Sequence, residues 1–319
     1  MKKLWPWLRL VLALGILVAL GLRLGTGAFL DGLRAIDAFS VAAALVIGLV
    51  TTVLSAGRWV IVARRLGLSL TLRTAVSDYY RAQLVNAVLP AGVLGDVHRA
   101  VNHGRESGDV GRGVRAVFFE RMAGQVVLIG IGLAVLLTHP APGLDLAPNG
   151  TTVALILVGL ALLVAVGWNI RPVRRALVNT LADGIRLLSF RTWPAVIGLS
   201  AATVAGYVAM FLVAAHAAGS DAGVTQLAPV VVLALLIMAI PVNIGGFGPR
   251  EAFLAVAFGA AGLGAAQGFT TGIVYGVLAL IAALPGAVVL FLSRRKTEKL
   301  EVVAEGLGQP REQELALAR

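Results

Sequence analysis

Three short stretches place ionisable side chains inside otherwise apolar sequence: Asp96 with Arg99, Glu120 with Arg121, and Arg250 with Glu251. An arginine guanidinium holds a phosphate through two parallel hydrogen bonds. Arg99, Arg121 and Arg250 are therefore candidate anion-binding groups. Asp96, Glu120 and Glu251 are the carboxylates that would balance them when no ligand is bound; a carboxylate there could also take a proton or meet an aminoacylated headgroup. A charge at the centre of a membrane helix costs about 2.5–3.5 kcal/mol on insertion scales, so these groups cannot all face lipid. They must pair or line a polar path. A structural alternative is a cross-brace, Glu120 to Arg250 or Arg121 to Glu251. The run Gly245-Gly246-Phe247-Gly248 can offer amide N–H groups to an anion, or form a tight tip that only glycine makes. No Gly-Lys-Ser/Thr follows it, which excludes a nucleotide P-loop.

Other chemistries are excluded more simply. The chain has no cysteine, which removes thiolate catalysis, disulfides and cysteine-based metal sites. Its four histidines, His98, His103, His139 and His216, fall on different segments and read as loop or interface residues. No catalytic residue, metal site or cofactor is expected, and the protein is expected not to be an enzyme. The net charge of +11 invites nucleic acid. In so apolar a chain it is better explained by basic cytoplasmic loops.

The elements that must position these residues are helices in a membrane. The chain is 58% hydrophobic and 13% charged, with mean hydropathy +0.90. Several apolar runs approach the ~20 residues needed to cross ~30 Å of hydrocarbon. Expected spans are about 10–24, 39–62, 114–138, 151–168, 194–218 and 268–292. The first is preferred as an uncleaved helix; a cleaved leader is the alternative. Arg58-Trp59 reads as an interfacial anchor pair closing the second span. Loops rich in Lys and Arg (66–73, 101–115 and 169–193) are assigned to the cytoplasm, and 25–38, 139–150 and 219–226 to the opposite side. Both termini are then cytoplasmic, in an inner or plasma membrane.

Two segments do not fit simple crossings. Residues 74–99 carry Asp78, Arg81, Gln83 and Asn86, then Pro90 and Gly95. Residues 227–262 are broken by Pro241, Gly245, Gly246, Gly248 and Pro249. Pro and Gly interrupt a helix by removing an N–H or loosening the backbone. The loop charges require each segment to leave by the face it entered, so both are expected to be re-entrant hairpins. Span, span, hairpin, span then occurs twice. An odd number of crossings per half turns the second copy upside down, and matching broken segments in inverted halves point to a central site. The expected fold is an all-α polytopic membrane protein, six transmembrane helices plus two re-entrant helical hairpins in an inverted repeat. Residues 1–292 form the membrane unit, with halves of about 5–138 and 151–292, and 293–319 form a cytoplasmic tail.

The residues Arg58-Trp59, Leu89-Pro90 with Gly95-Asp96 and Arg99, Glu120-Arg121-Met122-Ala123-Gly124, and Ile240-Pro241 with Gly245-Gly246-Phe247-Gly248 and Arg250-Glu251 carry a family resemblance. Over roughly 10–292 the chain resembles the flippase domain of lysylphosphatidylglycerol synthases, a domain also found free-standing. The resemblance implies movement of lipids with charged headgroups between leaflets. It names as partners anionic or aminoacylated phospholipids, or a polyprenyl-phosphate lipid as in some relatives. Fused members carry a soluble aminoacyl-transferase domain after the membrane part. This chain stops at Arg319, so the expectation is a free-standing member, with a separate lipid-modifying enzyme and homo-oligomerisation left open. Two rivals stand beside it. One is an integral-membrane glycosyl or lipid transferase acting on polyprenyl-phosphate-linked sugars, with Asp96 or Glu251 as its carboxylate. The other is a small-solute carrier using the same groove.

Overall fold

The computed structural model describes residues 30–88 (31 apart), 93–139, 178–180, 182–184, 187, 192–238 and 248–291. The expected spans 10–24 and 151–168, most of the loop 139–150, the tail 293–319, and Pro90, Pro241, Gly245 and Gly246 lie outside the described residues. Eight helices have both ends within them: α1 (Ala38–Arg65), α2 (Leu72–Val88), α3 (Leu94–Glu106), α4 (Val110–Thr138), α5 (Trp193–Ala217), α6 (Val224–Met238), α7 (Pro249–Ala260) and α8 (Ala265–Ala283). After a turn at Leu284, α8 runs on helically to Phe291. The described residues contain no strand.

Four helices are long and apolar enough to cross a bilayer: α1, α4, α5 and α8 with its continuation. They fall on four of the six expected spans. Local chemistry sets their ends. Asp37 opens α1 with a capping box, accepting from the Ser40 amide at 2.8 Å while its own amide donates to the Ser40 hydroxyl at 3.0 Å. The Ser40 amide also holds the Asp37 carboxyl below the usual carboxylate range. Arg64 and Arg65 close α1, where cations favour the helix dipole. Large apolar side chains on the outward faces, such as Phe39, Val46, Leu133 and Leu137, stay exposed. A soluble surface would not carry so many; a lipid-facing one does.

Between the long helices lie two pairs of short ones, α2 with α3 and α6 with α7. The described order is long, short, short, long, twice over: 28, 17, 13 and 29 residues, then 25, 15, 12 and 27. In the first pair α2 ends at Val88 and α3 begins at Leu94; in the second α6 ends at Met238 and α7 begins at Pro249. Two details differ from expectation. Residues 101–106, expected as a basic loop, continue α3. Asp96 in its first turn and His103 and Arg105 in its last both suit the helix dipole. Gly95, expected to break the first pair, is the second residue of α3 and a contact point instead.

Packing relies on small residues, as it must where lipid supplies no hydrophobic drive. A Cβ placed on Gly95 would lie 2.2 Å from the Ala82 carbonyl oxygen, so α2 and α3 touch backbone to backbone. Gly268 meets the Leu254 carbonyl the same way, joining α8 to α7. At the α1–α5 crossing, a Cβ on Gly206 would sit 2.3 Å from the Thr51 methyl. Two apolar cores result. One gathers Trp59, Tyr79, Ala100, Ala116 and Val117 around α1–α4. The other gathers Phe211, Val230, Leu254, Phe258 and Tyr275 around α5–α8, with Ala44 and Leu128 reaching in from the first half.

Candidate functional site

Glu120 is the centre of the first charge cluster. It lies on α4, has no exposed surface, and uses both oxygens. Oε1 accepts from Arg58 Nε at 2.9 Å, from Arg58 Nη2, and from the Tyr79 hydroxyl at 2.7 Å. Oε2 accepts from Arg99 Nη2 at 2.7 Å. Arg58 spends Nη1 on the Ser200 hydroxyl of α5 at 2.9 Å. Arg99 Nε donates to Asp96 Oδ1 at 2.9 Å, and both Asp96 oxygens accept from Arg121 Nη2, at 2.8 and 2.6 Å. Side chains from α1, α2, α3, α4 and α5 thus form one hydrogen-bonded network. In a low-dielectric interior such a network is strong when complete and costly when broken.

The network holds three guanidinium groups, Arg58, Arg99 and Arg121, against two carboxylates, Asp96 and Glu120. With every group ionised, one positive charge is left over among the described residues. The Arg121 side chain is 44% exposed, so the excess reaches an accessible surface. Arg99 is 1% exposed and its guanidinium carbon lies 4.6 Å from the Trp59 ring centre and 4.2 Å from that of Tyr79. Desolvated cation–π contacts of this kind are worth about 2 kcal/mol. Its Nη1 meets no acceptor among the described residues, and neither does Trp59 Nε1. Native interiors rarely leave such donors without a partner.

Asn86 of α2 ties the first helix pair together. Its side-chain carbonyl accepts from the Gly95 amide at 2.7 Å, and its amide donates to Asp96 Oδ2 at 3.1 Å. Asn86→Ala is expected to destabilise the protein by about 1–3 kcal/mol, since a buried amide and a carboxylate both lose a partner. Thermal melting in detergent measures this; an unchanged midpoint would show that the tie carries no stability.

The second cluster is smaller. Pro249 is the first residue of α7, a position that suits its fixed φ and missing N–H. It starts the helix rather than breaking it. Gly248 caps it at φ +109°, in the left-handed region that favours glycine. Arg250 and Glu251, 2% and 0% exposed, pair through Arg250 Nε to Glu251 Oε1 at 2.9 Å and through Nη2 to the same oxygen. Glu251 Oε2 accepts the Gly248 amide at 2.6 Å, so that N–H is not free for an anion as the sequence suggests. Arg250 also stacks 5.1 Å from the Tyr275 ring centre. Gly272 of α8 lies so close to Glu251 that a Cβ there would be 3.1 Å from its Cγ.

Of the expected site residues, the structure brings Asp96, Arg99, Glu120 and Arg121 into one network, and Gly248, Arg250 and Glu251 into another. It forms neither cross-brace of the structural alternative. Glu120 takes Arg58 and Arg99 in place of Arg250, and Arg121 takes Asp96 in place of Glu251. Arg58 and Trp59 are not interfacial anchors: they are 5% and 0% exposed, at the heart of the first cluster. His103, expected at a loop or interface, is 2% exposed and stands edge-on to Trp59, with ring centres 5.5 Å apart. Tyr79, Asn86 and Ser200 belong to the network without having been singled out for it. No group of three or more His, Cys, Asp or Glu suited to a metal occurs among the described residues.

The family model described as "Lysylphosphatidylglycerol synthase TM region" matches residues 7–293. Neither the curated proteins nor the solved structures give a match.

Proposed function

The chain belongs to the lysylphosphatidylglycerol synthase TM region family, and from that premise we propose that it is a lipid translocase. It moves a lipid with an anionic, phosphate-bearing headgroup between leaflets and catalyses no covalent step. In this reading six spans and two re-entrant helix pairs form an inverted repeat, with both termini cytoplasmic in the cell membrane. The headgroup passes along the polar side of the α2–α3 pair while its acyl tails stay in the bilayer.

One observation carries the proposal: among the described residues, the network around Glu120 holds one positive charge more than it neutralises, next to the half-exposed Arg121. A purely structural brace has no need of a surplus cation, whereas a phosphodiester supplies the matching negative charge. The repeated order of long and short helices supports the inverted repeat.

The test is reconstitution in liposomes with fluorescent lipids on one leaflet. An anionic phospholipid should equilibrate about tenfold faster than in empty vesicles, with Arg121→Gln removing most of the gain, as expected for loss of a charge-assisted contact. No acceleration with any anionic or aminoacylated lipid would end the proposal.

A further inference from the structure

A pocket of about 490 Å³ opens on the outward side of α4, lined by none of the residues of either charge cluster. Its floor is buried: Val62 of α1, Ala123 of α4, Val196 of α5 and, beside them, Leu187. Its mouth is formed by the half-exposed Phe118, Met122 and Val126 of α4. Thr180, Gly184 and Trp193 complete the wall. We propose that this pocket holds one hydrocarbon chain of a membrane lipid, taken from the leaflet nearest the start of α4, as a resident and not as cargo. The site goes beyond the translocation reading and does not rest on it.

The walls decide the occupant. No residue lining the pocket is charged, and its side-chain hydroxyls are those of Thr180 and Thr192. Water needs two to four polar partners and stays out of apolar cavities. A packed interior does not keep an empty space of this size. The mouth lies among large apolar side chains on a face that bilayer hydrocarbon bathes. Hydrocarbon both reaches the pocket and matches it. Size then sets the number of chains. A cavity of about 150 Å³ takes a benzene, so this one has room for roughly eighteen carbons, one acyl chain and not two. The rim shows that the chain is recognised and the headgroup is not. Arg115, one turn before Phe118 and Phe119, donates Nε to Asp183 at 2.6 Å. That pair is neutral as a unit, and it ties residues 182–184 to α4, where a Cβ on Gly184 would come 3.3 Å from the Phe119 ring. Phe119 and Met122 flank Glu120 and Arg121 in sequence. A seated chain therefore backs the turn of α4 that carries the first charge cluster.

The test maps where a lipid chain goes. The full chain is placed in phosphatidylcholine nanodiscs doped with a phosphatidylcholine that carries a diazirine on one acyl chain. After irradiation, labelled residues are located by mass spectrometry. Label should appear at the buried Val62, Leu187 and Val196, as well as at Leu133 and Leu137, which are exposed further along α4. Ala123→Phe fills the floor, and Met122→Trp narrows the mouth from an exposed position. Each should cut labelling of the buried three by about tenfold, since displacing roughly two methylenes is worth that much. Labelling at Leu133 and Leu137 should not change. A phosphatidylglycerol with the same chain should label the buried three equally well. Buried residues left unlabelled while Leu133 and Leu137 are labelled would overturn the proposal, as would labelling that neither variant reduces. Label that appears with phosphatidylglycerol alone would assign the space to a headgroup and overturn it too. If Ala123→Phe melts below the wild type, Met122→Trp decides the matter. Labelling needs no translocation, so either proposal can fail without the other.

Discussion

Glu120→Gln is expected to cost the protein much of its folded stability. The carboxylate has no exposed surface and accepts from Arg58, Arg99 and Tyr79. Glutamine keeps the volume but removes the charge, and its amide nitrogen would face guanidinium donors. Arg99, 1% exposed, would then share the carboxylate of Asp96 with Arg121, and Arg58, 5% exposed, would keep only the Ser200 hydroxyl. Breaking a buried ion pair by removing one partner costs about 3–5 kcal/mol. Against a total stability of about 5–15 kcal/mol this is a large fraction. The melting midpoint in detergent should fall by on the order of 10 °C, with less monodisperse protein on size exclusion. Glu120→Asp, which keeps the charge and loses reach, should fall less. If Glu120→Gln melted with the wild type, the network would not be holding five helices together.

Gly95→Val is the second large effect, and it should fall on transport more than on folding. The new Cβ would lie 2.2 Å from the Ala82 carbonyl oxygen and 2.6 Å from the Ala82 Cα, with backbone on both sides and no side chain to swing away. The two short helices must separate. Separation stretches the Asn86–Gly95 bond and draws Asp96 and Arg99 off Arg121 and Glu120. Overpacking of this kind costs about 1–3 kcal/mol, which the fold survives. Displacing the charged groups should slow lipid movement in liposomes by about tenfold or more, as small misplacements at a working site do. Gly130→Ala is the control: nothing lies within 4 Å of its added Cβ, and alanine favours a helix over glycine. If both variants moved lipid at the wild-type rate, the contact at Gly95 would be irrelevant to transport.

Four of the spans were legible because hydropathy is a local signal. α1, α4, α5 and α8 fall where apolar runs of sufficient length sit between charged loops. The polar character of α2 marked it as something other than a simple crossing. The pairing of charges was not legible, because it depends on which helix faces which. Glu120 meets Arg58, 62 residues away, and Arg58 in turn meets Ser200, 142 residues away. Arg58-Trp59 misled because arginine and tryptophan near the end of a span suit the membrane interface equally well. The available clue was Arg64-Arg65, which already supplies that boundary and leaves Arg58 almost two turns too deep. Arg250 with Glu251 misled differently. Adjacent residues point apart on a regular helix, yet in the first turn of α7 the long arginine side chain folds back to its neighbour.

The α1–α5 crossing limits how the molecule can change shape. Gly206 leaves room for the Thr51 methyl and for little else, so one helix cannot slip lengthwise past the other without forcing side chains into backbone. Rolling about that point preserves the contact. A rearrangement that tips the α5–α8 half against the α1–α4 half would therefore use Gly206 and Thr51 as a fulcrum, with the outer helix ends sweeping the widest arcs and the residues at the crossing scarcely stirring.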